Sequence, residues 1–144
     1  MNNLYNLLNI PDDIIDIIIP YTYKTQNKEL LDDIINYNIT KEIIIEKYKK
    51  KYKFLTNGIQ LLEDKYWLIN DLDLYFNNNK SYSEGYLEVY YEKWLRLYNI
   101  KNKEDVKKYI NVMDRCDINT QINSYWGILN INEREDFIKR IEEF

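Results

Sequence analysis

Apolar positions recur at intervals of three and four along most of this chain, the spacing of one face of an α-helix. Between Pro11 and Pro20, Ile14, Ile17 and Ile18 share such a face. Pro11 followed by Asp12 and Asp13 supplies a helix start, because proline suits the first turn and carboxylates suit the positive end of the helix dipole. Residues 26–37 repeat the pattern with Leu30, Leu31, Ile34 and Ile35. Thr40 reads as the cap of a further helix carrying Ile44, Tyr48 and Tyr52 and ending near Leu55, before the turn signal Asn57-Gly58. A fourth helix is expected over 64–76, with Leu68, Leu72 and Tyr75 inward. Asp71 to Leu74 alternates with period two, so a strand stays open there.

After the polar stretch 77–80, Ser81 and Glu84 form a capping box for a long helix reaching Tyr98. Residues 102–113 form another, with Val106, Tyr109, Ile110 and Met113 apolar, and 119–129 a shorter one. Asn132 with Glu135 caps a last helix in which Phe137, Ile138 and Ile141 turn inward. The many β-branched residues favour strands, but the three-and-four spacing outweighs them. The expected fold is all-α, a compact single-domain bundle of seven to eight short helices over residues 1–144. N-terminal helices fall within 10–55 and C-terminal helices within 64–144, with no linker or repeat between them.

Length and composition agree with that picture. The chain has 144 residues, 45% hydrophobic and 31% charged, with three Gly and two Pro. A chain of this size buries roughly two-thirds of its unfolded surface and needs no metal or disulfide to hold a core. Ile, Asn, Lys and Tyr make up half of it, and alanine is absent. Those four residues use codons made wholly or mainly of A and T, which points to an AT-rich genome. The beginning of the chain lacks the basic and apolar regions of a secretory signal. The run Ile14 to Ile19 is far shorter than the ~20 residues of a membrane helix. A soluble, intracellular protein with no membrane partner is expected.

Chemistry is sparse. There is no histidine and one cysteine, Cys116, so the usual general base and the Cys- or His-based metal sites are missing. Arg115 beside Cys116 would favour a thiolate, yet no histidine exists to pair with it. Asn77, Asn79, Ser81 and Glu88 have the spacing of a calcium loop, but Tyr82 stands where the sharp turn demands glycine. Asp12, Asp13 and Asp16 suffice as a helix start, and Asp71 with Asp73 would pair only on a strand. No phosphate-cradling glycine loop occurs. A non-enzymatic protein with no catalytic residue, cofactor or metal is expected.

Two surfaces stand out instead. On the expected 81–98 helix, Leu87, Tyr91 and Leu95 make one stripe, and Tyr86, Tyr90, Trp94 and Tyr98 a second beside it. One core face does not require two stripes; either the helix is buried nearly all round, or Tyr86, Tyr90 and Trp94 meet a partner. The other surface is the basic run of Lys49, Lys50 and Lys51, flanked by Lys47 and Lys53 and interleaved with Tyr48 and Tyr52. It would hold single-stranded nucleic acid through charge and stacking. As the solvent face of a helix it needs no ligand, and a net charge of −4 places nucleic acid behind a protein partner.

The segment Ile10-Pro11-Asp12-Asp13-Ile14-Ile15-Asp16-Ile17-Ile18-Ile19 resembles the opening helix of an F-box. That likeness implies that Ile14, Ile17 and Ile18 dock on the adaptor of a cullin ubiquitin ligase. A wider set also recurs in order: Pro11 to Ile15, Pro20-Tyr21-Thr22-Tyr23, Lys28 to Ile34, Trp94 to Tyr98, and Trp126-Gly127-Ile128-Leu129 through Glu133-Arg134. It resembles small proteins of giant nucleocytoplasmic DNA viruses. This likeness implies a viral protein of the host cytoplasm or virion that acts by contact, with a viral structural protein or a host factor as partner.

Overall fold

The computed structural model describes residues 13, 14, 17, 27–53 and 63–142. The chain divides into two units, residues 1–32 and 33–144. In the first, Asp13, Ile14 and Ile17 are helical and exposed. Asn27 opens helix α1 (Lys28–Lys53): its side chain accepts from Glu29 N at 3.0 Å and its carbonyl from Leu31 N.

The second unit continues α1 and adds α2 (Glu63–Phe76), a 3-10 turn at Tyr82–Glu84, α3 (Glu88–Trp94), α4 (Lys103–Met113), α5 (Ile118–Ile128) and α6 (Ile131–Glu142). The described residues are thus all-helical, with six α-helices where seven to eight were expected. Most of the expected first helix, including Ile18, lies outside the described residues.

The departures from the sequence pattern, and the outcome over 71–74 where it left a strand open beside the expected helix, have local causes. The separate helices expected over 26–37 and 40–55 are one. Thr40 does not cap; its hydroxyl donates to Asn36 O at 2.5 Å and accepts from Trp126 Nε1 at 3.1 Å. That bond leaves the helix intact and joins it to α5. Residues 71–74 are helical, because Leu68, Leu72 and Phe76 form a buried stripe at steps of four, beside which Tyr75 is also covered.

The long helix expected from Ser81 to Tyr98 is broken. Asn78 and Asn79 take positive φ, and Gly85 sits at φ 73°, which a helix cannot include. One side chain fixes the detour: Asn77 donates to the carbonyls of Lys80 and Gly85 and accepts from Leu87 N at 2.7 Å. Only seven residues remain for α3, and turns follow it. The last capping box lies two residues earlier than the expected Asn132 and Glu135. Asn130 Oδ1 accepts from Glu133 N and Glu133 Oε2 accepts from Asn130 N, both at 3.0 Å.

The core is aromatic. Phe76 packs edge-on to Tyr125 with centroids 5.0 Å apart and lies 5.3 Å from Trp94, which meets Tyr125 at 4.9 Å. Tyr90 and Trp94 have no exposed surface. This corrects the expected aromatic partner row: α3 carries those two rings into the core, and only Tyr86 of the three reaches solvent.

Candidate functional site

An open cleft of about 850 Å³ lies in the second unit, between the end of α1, α2 and α6. Helix α2 gives one wall with Trp67, Asp71, Leu74 and Tyr75; α6 gives the other with Asp136, Phe137, Lys139, Arg140 and Ile141. Lys51 and Tyr52 close one end.

Two of its lining rings, Tyr52 and Trp67, belong to an aromatic ladder. Tyr48 stacks on Tyr52 at 6.0 Å, and Tyr52 stacks on Trp67 at 5.6 Å with the planes 6° apart. Exposure rises along it: Tyr48 is buried, Tyr52 half-buried and Trp67 48% exposed. Tyr52 stacks against the indole, and Trp67, 48% exposed, is the last ring of that stack among the described residues. Steps of four along α1 put both tyrosines on its inward face, and Tyr52, last in that row, reaches the rim.

Both carboxylates of the cleft are occupied from within. Asp71 accepts the Tyr48 hydroxyl, and burial together with that bond pushes the phenol well above its usual pKa. Asp136 accepts from Tyr75 Oη at 2.9 Å and pairs with Arg140 Nε at 2.8 Å, while the Arg140 guanidinium lies over the Tyr75 ring. Lys51 and Lys139 have no ion pair among the described residues. The cleft therefore offers a flat apolar platform beside cations whose charge internal partners do not cancel.

The expected lysine run does not act as a unit. Successive residues on a helix point about 100° apart. Lys49 pairs with Glu46 at 2.8 Å, Lys47 with Glu142, Lys50 faces solvent, and only Lys51 borders the cleft. Ile14 and Ile17 of the expected N-terminal surface are exposed, and Ile18 is not described.

A second polar cluster ties the fold together away from the cleft. Glu133 receives Lys93 at 2.6 Å and a two-pronged contact from Arg96 at 2.5 and 3.0 Å. Burial works to raise the Glu133 carboxyl, but the hydrogen bonds from Arg96, Lys93 and the Asn130 amide outweigh it and hold the pKa at about 2. Arg134 is buried, donating to Trp126 O at 3.1 Å, Asp33 Oδ1 at 2.7 Å and Asn36 Oδ1 at 3.2 Å.

Asp71 and Asp73 belong to different environments. Asp73 is buried and accepts from Tyr125 Oη at 2.9 Å. No group of three or more His, Cys, Asp or Glu placed to hold a metal occurs among the described residues, and no helix there is long and apolar enough to cross a membrane.

No family model, curated protein or solved structure matches this chain.

Sequence reasoning found Lys51 and Tyr52 but missed Trp67, Lys139 and Arg140. Trp67 sits next to Leu68 and passes for part of an apolar stripe. Lys139 and Arg140 pass for the favourable cations of a last helical turn.

Proposed function

We propose that this chain is a binding protein that acts by contact rather than by catalysis, and that its working surface is the cleft headed by Trp67. The observation that carries this reading is the ladder Tyr48–Tyr52–Trp67, which ends in a half-exposed indole. A large aromatic side chain left at a concave surface beside cations is the composition of a recognition hot spot. The giant-virus likeness extends the proposal: a viral protein of the host cytoplasm or virion, working as an interaction or structural module.

The test is differential capture from infected cells by the immobilised full chain and its Trp67→Ala variant. Retention of a ligand by the wild type and its loss from the variant, with the melting temperature unchanged, is the expected result. Identical capture by both proteins overturns the assignment of the cleft.

A second reading is favoured by the exposure of Ile14 and Ile17, 41% and 61%. Under it, the F-box-like segment engages the cullin-ligase adaptor. Purified adaptor should then bind the full chain at tens of micromolar or tighter, about −6 kcal/mol. The double change Ile14→Asp, Ile17→Asp should abolish that binding. No binding by the wild type sinks this reading.

A further inference from the structure

We infer that the ligand of the cleft is single-stranded nucleic acid, with one base stacked on the exposed part of Trp67 and the adjoining phosphates between Lys51 and Lys139. The inference rests on the assignment of the cleft above and adds the chemical class of what it holds. Four observations support it.

The stack comes first. Tyr52 and Trp67 lie 6° from parallel with centroids 5.6 Å apart, an offset stack whose half-exposed last described ring offers surface to another flat ring. Every base has a π-face, which makes such a platform tolerant of sequence. An aliphatic or helical peptide makes no special use of a parallel stack.

Charge is the second. Three cations border the cleft against two carboxylates, and both carboxylates already hold donors: the Tyr48 hydroxyl on Asp71, the Tyr75 hydroxyl and Arg140 on Asp136. Lys51 and Lys139 are left without an ion pair among the described residues. Local potential, not net charge, decides where an anion settles.

Dimensions are the third. From Trp67 to Tyr75 the α2 wall runs eight residues, about 12 Å at 1.5 Å per residue. That length suits a short run of nucleotides lying along the wall, not one alone. The fourth is shape: the cleft is open to solvent and not an enclosed cavity, so a strand can enter without threading its end.

The test is a tryptophan-fluorescence titration of the full chain with thymidine and uridine hexanucleotides at ~50 mM salt, where phosphate contacts are strong. Trp94 and Trp126 are buried, so quenching by stacked bases comes from Trp67. Both hexanucleotides should bind with similar affinity, because the platform reads no base edge. Read by the anisotropy of a fluorescein-labelled hexanucleotide, because these variants lack the reporting indole, Trp67→Ala should weaken binding about ten-fold or more, and Trp67→Phe should restore part of it. Each change Lys51→Gln or Lys139→Gln should lower the slope of log K against log salt by ~0.7. Both lysines are exposed, so these variants test charge without disturbing the core. Uridine monophosphate should bind far more weakly than the hexanucleotide.

Absence of binding up to ~1 mM, roughly −4 kcal/mol, overturns the inference. So does affinity unchanged by Trp67→Ala, or a monophosphate that binds as well as the strand. If the hexanucleotides fail while the infected-cell capture still shows a protein lost on Trp67→Ala, nucleic acid is wrong and the cleft assignment survives. If Trp67→Ala captures everything the wild type does, both fall.

Discussion

At the scale of single residues, two side chains decide how the aromatic interior should be read. Trp94 lies within 5.5 Å of Phe76, Tyr109 and Tyr125, so truncating it opens a cavity in the centre of the second unit. Trp94→Ala should cost about 3–5 kcal/mol, read as a lower denaturant midpoint. A loss below about 1 kcal/mol would mean that the ring does not carry the core. Asp73 behaves oppositely. It is a buried carboxylate, and burial raises its pKa above the ordinary 3.8 despite the hydrogen bond from the Tyr125 hydroxyl. A carboxyl whose folded pKa is raised weakens the fold as pH climbs through the unfolded and then the folded value. Asp73→Asn keeps an acceptor for Tyr125 without the charge. It should raise the urea midpoint at pH 7 with the slope unchanged, and the gain should vanish below pH 3.8. A midpoint that falls at pH 7 would show that the charge itself is needed.

The elements differ in how well the pattern alone defines them. Helices α4, α5 and α6 have self-contained signals. Asn102 accepts from Asp105 N, and Asp117 from Asn119 N and Thr120 N, so cap and stripe agree within one segment. Helices α1 and α3 depend on distant partners. Nothing near Thr40 announces that its hydroxyl will serve Asn36 and Trp126, and nothing near Ser81 announces that Asn77 will hold Gly85 and Leu87. The cleft was half legible for the same reason. Tyr52 and Lys51 lie on one helix with a readable period, but Lys139 and Arg140 come from α6, some ninety residues away. The junction of α3 and α6 carries its own test. Glu133 is held at about pKa 2 against an ordinary 4.5, so it stabilises the fold above pH 4.5 and loses that effect as pH falls towards 2. With the side chain 17% exposed, the contribution at pH 7 is about 2 kcal/mol. Glu133→Gln should lower the melting temperature at pH 7, and the gap to wild type should close between pH 4.5 and 2. A gap that persists unchanged at pH 2 would assign the loss to packing.

For the whole molecule, net charge and local charge make opposite predictions, and the tryptophans separate them. The chain carries −4 overall, which on average attracts cations and repels anions. Around Trp67 the balance is the other way, because Lys51, Lys139 and Arg140 line the cleft against Asp71 and Asp136, an excess of one positive charge. Trp94 and Trp126 have no exposed surface and Trp67 is 48% exposed, so small ionic quenchers reach one indole of the three. Iodide and caesium both quench by collision, and their relative efficiency reports the potential at that ring. If the local field governs, iodide quenches the accessible emission more strongly than caesium at low ionic strength. The difference should shrink towards 1 M salt, where the screening length falls to ~3 Å. Trp67→Phe should remove the quenchable component altogether. A preference for caesium would mean that the acidic total prevails at the cleft, and the electrostatic half of its case for a polyanion would be lost while the stacking ladder stood.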